Sequence, residues 1–116
     1  MLKASYQPRT NVITLPAEMI EKDVVSIDSP VFWAYDSSNT AAVFTQWGDE
    51  LRAADDLTYL EQSKITRNRV TSVPTEILDQ MEFYVMVEVA ITDDLIGKPS
   101  GVISTDEDAF WTNLIE

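Results

Sequence analysis

Arg67–Asp79 reads "RNRVTSVPTEILD", and Arg9–Glu21 reads "RTNVITLPAEMIE". Aligning Arg9 with Arg67 is a shift of 58 residues (67 − 9), half of the 116-residue chain. At that shift Ser5 meets Ser63, Val12 meets Val70, Pro16 meets Pro74 and Glu18 meets Glu76. The apolar pairs follow: Leu15 with Val73, Met19 with Ile77, Ile20 with Leu78. A fixed-period repeat is the first thing to seek in a sequence, because it decides the architecture. Two copies are expected, residues 1–58 with a connector and residues 59–116 with an acidic tail, sharing one core.

Each copy has the same grammar. A short strand ("LKASY", "LTYLEQS") leads into a polar turn ("QPRTN", "KITRNR") and a β-rich stretch ("VITL", "VTSV"). Pro16 and Pro74 end those stretches, since proline cannot donate to a ladder. Each is also suited to begin a helical turn, "PAEMIE" or "PTEILDQ". Glu18 and Glu76 then fall in a first turn, where the helix dipole favours anions, and capping with solvation is their expected role. Strands return afterwards. "VVSID" and "PVFWAYD" lead through the turn "SSNT" to "AAVFTQW" in the first copy. In the second, "EFYVMVEVAITDD" has Val85, Val87 and Val89 alternating with Met86, Glu88 and Ala90, as one buried face requires. "IGKPSG" turns and "VIST" pairs back. Between the copies, "GDELRAADDLTYLEQ" predicts a connector helix with Asp49 as N-cap and Leu51, Ala54 and Leu57 at helical spacing. The tail "DEDAFWTNLIE" predicts a second helix, equivalent to the first, with Phe110, Trp111 and Leu114 covering the core or a partner.

Composition narrows the function classes. Apolar residues make up 45% and charged residues 24%, ordinary for a globular protein. No apolar run approaches the roughly 20 residues a membrane helix needs, and the N-terminus lacks a signal-peptide stretch, so no membrane association and a cytoplasmic location are the expectation. There is no Cys and no His, which removes thiolate and imidazole chemistry and most zinc sites. No phosphate-cradling glycine motif and no calcium-loop spacing is present. The expectation is a non-enzyme with no cofactor and no metal.

The pattern of strand, basic turn, "V-T-x-V-P-x-E" and hairpin resembles the swapped-hairpin AbrB family, which includes the SpoVT regulators and MazE-type antitoxins. The residues that carry the likeness are "RTNVITLPAE" and "RNRVTSVPTE". The resemblance covers the first twenty residues of each copy well and the hairpins loosely. It implies a mostly β fold with short helices, in which two AbrB-like units form an intrachain pseudo-dimeric barrel, as a pseudo-dimeric monomer or a homodimer. Family members usually place Gly in the turn before the second strand. Here Thr10-Asn11 and Asn68-Arg69 stand there instead, and Asn tolerates positive φ better than most residues.

The resemblance also implies a DNA face. Of eight Lys and Arg, five fall in or beside the two turns: Lys3 and Arg9, then Lys64, Arg67 and Arg69. Segments 3–16 and 62–74 contain no Asp or Glu. A chain of net charge −12 can thus still present a locally basic surface. Asn11, Thr66 and Asn68 add groups able to meet phosphates or base edges. The expected function is that of a DNA-binding transcriptional regulator of AbrB or antitoxin type, its partner double-stranded DNA. The alternative is an acidic protein-interaction module. In that reading Asp106, Glu107, Asp108, Phe110, Trp111 and Leu114 engage a basic toxin, or else pack as an acidic tail on their own barrel. A DNA mimic is a third class, disfavoured because the 20 Asp and Glu are scattered rather than arranged as a stripe.

Overall fold

The computed structural model describes residues 2–104. They form eight antiparallel strands and three short helices. In chain order these are β1 (Leu2–Gln7), β2 (Val12–Thr14), α1 (Glu18–Glu21), β3 (Pro30–Asp36), β4 (Ala41–Thr45), α2 (Gly48–Ala53), β5 (Thr58–Lys64), β6 (Val70–Ser72), α3 (Thr75–Gln80), β7 (Met86–Thr92) and β8 (Ser100–Ser104).

The strands lie in the order β5-β3-β4-β8-β7-β1-β2-β6. The two ends of that row meet: Ile65, just past β5, bridges Thr71 of β6, and the Ser63 and Thr71 hydroxyls share a 2.6 Å hydrogen bond. The sheet is therefore a nearly closed barrel, which leaves little free strand edge. First strands are exchanged between halves. β1 pairs with β7 (Leu2 opposite Val89), and β5 pairs with β3 (Pro30 opposite Lys64). Equivalent strands also meet each other, β2 with β6 and β4 with β8. Renaming each strand as its counterpart in the other half returns the same ring read backwards. The expected interlocked pseudo-dimer of two swapped-hairpin units is the architecture observed.

Alternation along the strands fills the barrel. Ala4, Tyr6, Ile13, Val31, Trp33, Phe44, Val87, Val89 and Ile103 point inward, and Met19 of α1 and Ile77 of α3 plug the interior. The Trp33 indole N–H donates to Ser63 Oγ at 3.1 Å, so its polar end is satisfied inside. A second, smaller cluster lies outside the barrel. Ala34, Ala41, Val43 and Val102 are covered there by Leu51 of α2, with Phe32, Leu57 and Tyr59 alongside. This outer layer leaves every residue of β4 and β8 buried.

Four local expectations are corrected. "VVSID" is not a strand: Val24 N–H and Val25 N–H both donate to the Met19 carbonyl, and Asp23 (φ 65°) and Asp28 (φ 67°) bend the backbone at either side. β7 starts at Met86 rather than Glu82, and Val85 is 63% exposed instead of facing the core. Asp49 is inside the first turn of α2, where it suits the dipole, while Trp47 holds the N-cap position without a side-chain cap. The connector helix is short, ending at Ala53, so Ala54 already has extended backbone and Leu57 reaches the outer cluster from a loop.

Candidate nucleic-acid interface

The β2–β6 ladder is where the two copies of the sequence motif meet. Its rungs are Val12–Ser72, Ile13–Thr71 and Thr14–Val70, centred on Ile13 and Thr71. Beyond the rungs, Leu15 N–H donates to the Arg69 carbonyl and Val73 N–H to the Asn11 carbonyl, both at 2.9 Å. These bonds are each other's counterparts under the 58-residue shift (11 + 58 = 69; 15 + 58 = 73). The two basic turns therefore flank the ladder at opposite ends. Asn11 and Arg69 are four residues apart along it, roughly 13 Å at strand rise.

The turns close by the same backbone device and different side chains. Asn11 (φ 55°) and Arg69 (φ 65°) are both left-handed, at equivalent positions. Asn is the common choice there, since its short amide lowers the cost. Arg is not, and it gains compensation: Arg69 Nε donates to the Leu15 carbonyl at 2.9 Å, across to the other half. Arg69 N–H donates to the Thr66 carbonyl and Thr66 N–H to the Val70 carbonyl, both at 2.9 Å, the pattern of a three-residue hairpin loop ending in a left-handed residue. In the first copy Asn11 N–H donates to the Gln7 carbonyl, enclosing a longer loop. The Tyr6 hydroxyl donates to Asn11 Oδ1 at 3.0 Å.

The candidate residues divide accordingly. Arg9, Thr66, Arg67 and Asn68 are exposed on the turns, and Arg69 is half-buried beside them. Thr66 Oγ1 already accepts Val70 N–H at 3.2 Å, and Asn11 is occupied by Tyr6. Lys64 ends β5 near its turn, lining a cavity with Asp28, Ser29, Pro30 and Ile65. Lys3 is not brought to a turn. It stands opposite Glu88 of β7, at the far end of β1, and lines a different cavity with Glu82, Tyr84 and Met86. The reason is strand exchange: the outer end of β1 belongs to the other half's neighbourhood. Asp106, Glu107, Asp108, Phe110, Trp111 and Leu114 lie outside the described residues.

Two further cations, away from the turns, sit over aromatic rings. Arg52 of α2 sits over Tyr59 and Phe32 (4.9 and 5.2 Å to the ring centroids), and Lys98 over Trp47 (4.8 Å). On the opposite side of the charge balance, Asp36, Asp55, Asp56 and Asp94 line a cleft with Ser38 and Asn39. Asp36 is spent on structure there, accepting Ser38 N–H at 3.1 Å and Asn39 Nδ2 at 2.8 Å to fix the β3–β4 turn. Among the described residues, no helix is long and apolar enough to cross a membrane.

The fold and this surface define a class: a single-chain barrel of two interlocked halves that presents two basic turns across a shared ladder. No family model matches the sequence, and neither a curated protein nor a solved structure matches it.

Proposed function

We propose that this protein binds double-stranded DNA through the turns at 8–11 and 66–69, acting as a small transcriptional regulator of the AbrB or antitoxin type. The observation that carries the reading is the placement of two basic turns at equivalent positions, one at each end of the β2–β6 ladder. Their separation of roughly 13 Å at strand rise matches a B-DNA major groove about 12 Å wide. The ladder can thus straddle one groove with a cationic turn at each lip.

The halves are chemically unequal. The second turn offers Arg67, Asn68 and Arg69 with Lys64 nearby, and the first offers Arg9. The reading therefore favours a site with approximate two-fold symmetry whose one half contributes more of the binding. Asn11 acts as a turn lock, and Lys3 lies off the face. The rest of the surface is acidic and repels duplex in other orientations, which would align the barrel on its target.

The test is a gel-shift titration on the DNA upstream of the protein's own gene, at several salt concentrations. Neutralising about four phosphates gives a log–log slope of roughly −3 to −4. Arg67→Ala with Arg9→Ala should abolish the shift while the unfolding midpoint stays in place. A flat salt response, or unchanged affinity in the double variant, overturns the proposal.

A further inference from the structure

The ring has two equivalent joints between its halves, and they differ in chemistry. Where β3 meets β5 and β5 turns back to β6, the Trp33 indole N–H donates to Ser63 Oγ at 3.1 Å, and the Ser63 and Thr71 hydroxyls share their 2.6 Å bond. Trp33 is fully buried and Thr71 is 2% exposed. Trp33 belongs to the first half, Ser63 and Thr71 to the second. At the other joint, β7–β1–β2, the same places hold Val89, Ala4 and Ile13, all buried and apolar.

The ladders establish these equivalences. Ala34 pairs with Val43 and Ala90 with Val102, so Trp33 matches Val89 and Val31 matches Val87. Ser63 matches Ala4, since they face Val31 and Val87 respectively. Ile13 and Thr71 face each other at the centre of the β2–β6 ladder. The sequence repeat sets Ser63 against Ser5 instead, and the one-residue difference comes from Leu60. Trp33 pairs with Glu61 and Ala34 with Tyr59, which leaves Leu60 as an extra residue in β5. The second turn takes the residue back: Thr66 and Val70 close on three residues, where Gln7 and Val12 close on four. Without Leu60, Gln62 and Lys64 would take the inward places of Ala4 and Tyr6. The extra residue therefore keeps a lysine out of the barrel and brings a hydroxyl to Trp33.

The halves share one strand plan, so each has the strands to close a ring with its like half from a second chain. The polar trio makes those pairings unequal. Two first halves would set both Trp33 side chains against Ala4 and Ile13, with no acceptor for either buried indole N–H. Two second halves would set Ser63 and Thr71 beside Val89, with hydroxyls and no indole. The unlike pair satisfies all three groups, and an unmet buried donor is costly.

We propose that the Trp33–Ser63–Thr71 trio selects the partner of each half: the other half of its own chain rather than the like half of a second copy. The trio contributes discrimination more than stability, because replacing all three polar groups by apolar ones of similar size leaves nothing unsatisfied.

Thr71→Cys reads the choice directly. The chain has no Cys, and in a ring of two second halves residue 71 lies opposite its own copy, at a strand-pair distance that a disulfide can bridge. In the intrachain ring it faces Ile13 and has no partner thiol. Thr71→Cys alone keeps the bond between Trp33 and Ser63, and adding Trp33→Phe and Ser63→Ala removes the trio. Both full-length proteins are refolded at high concentration under reducing conditions, then oxidised and run on a non-reducing gel. The triple variant should give about tenfold more disulfide-linked dimer, or above, than the single variant, with a similar unfolding midpoint when dilute. Equal amounts of linked dimer in the two overturn the proposal. So does a dimer that sediments as such without linking through residue 71, since that marks contact between intact intrachain rings. If the triple variant does not fold, Trp33→Phe with Thr71→Cys decides the matter by the same comparison.

Discussion

Asn11 and Arg69 share a left-handed backbone but are fastened by different bonds, and this difference can be measured. Asn11→Ala places a Cβ-bearing residue without a compensating amide at φ 55° and strands the Tyr6 hydroxyl. The expected cost in urea unfolding is about 2 kcal/mol, from backbone strain plus one lost hydrogen bond. Arg69→Gly relieves the same strain while losing the bond to the Leu15 carbonyl, so stability should change by less than about 1 kcal/mol. If the proposed DNA-binding reading holds, affinity for duplex should fall in the second variant and not track stability. Gly101 is a sharper case. It lies opposite Phe44, and a Cβ there would enter the fully buried ring. Gly101→Ala should cost about 3 kcal/mol by overpacking, and adding Phe44→Leu should recover part of it. Of these residues, the sequence marks Asn11 as a turn former through its chemistry. It gives no such sign for Arg69, because what makes an arginine tolerable there is a carbonyl fifty-four positions away in the chain. Lys3 was unreadable for the same reason: Glu88 faces it only once the strands have been exchanged.

At the scale of elements, α2 is held by one buried leucine and one stacked arginine. Leu51→Ala should destabilise the protein by about 3 kcal/mol, because the small outer cluster has little else to close the gap. Arg52→Ala should cost about 1 kcal/mol, and Arg52→Lys should recover less than a full cation–π contact, as guanidinium stacking is planar. Chemical denaturation of each variant checks both values. Elements whose own periodicity meets a partner were legible. β3 occupies the residues that "PVFWAYD" names, and β1, β2, β5 and β6 fall within a residue or so of expectation. "VVSID" was not, since three β-formers in five residues look extended until the Met19 carbonyl claims two of their amides. The start of β7 was overextended because Phe83 and Val85 continue the apolar pattern while Val85 offers its carbonyl, to Tyr6, and leaves its side chain outside.

For the whole molecule, exchange of first strands makes each half incomplete. Fragments 1–56 and 57–116 should each lack cooperative unfolding when dilute, and any folded material should be oligomeric, with a midpoint that rises with protein concentration. Mixing them should restore the signal of the intact chain, whose own midpoint should be insensitive to concentration. A dilute fragment that unfolds cooperatively as a monomer would contradict the interlocked arrangement. The repeat made this architecture legible from thirteen quoted residues per copy, whereas the partnering of faces depended on which strand each turn delivers. The same exchange sets a timetable. Of the described strands, β1 leaves the ribosome before the others, and its neighbour β7 follows about eighty residues later. At about 5–20 residues per second, β1 waits several seconds for its partner. Hairpins β3–β4 and β1–β2 can close early, but the ring cannot. Folding of this small chain is therefore a late event governed by distant contacts, expected on the millisecond-to-second scale rather than in microseconds.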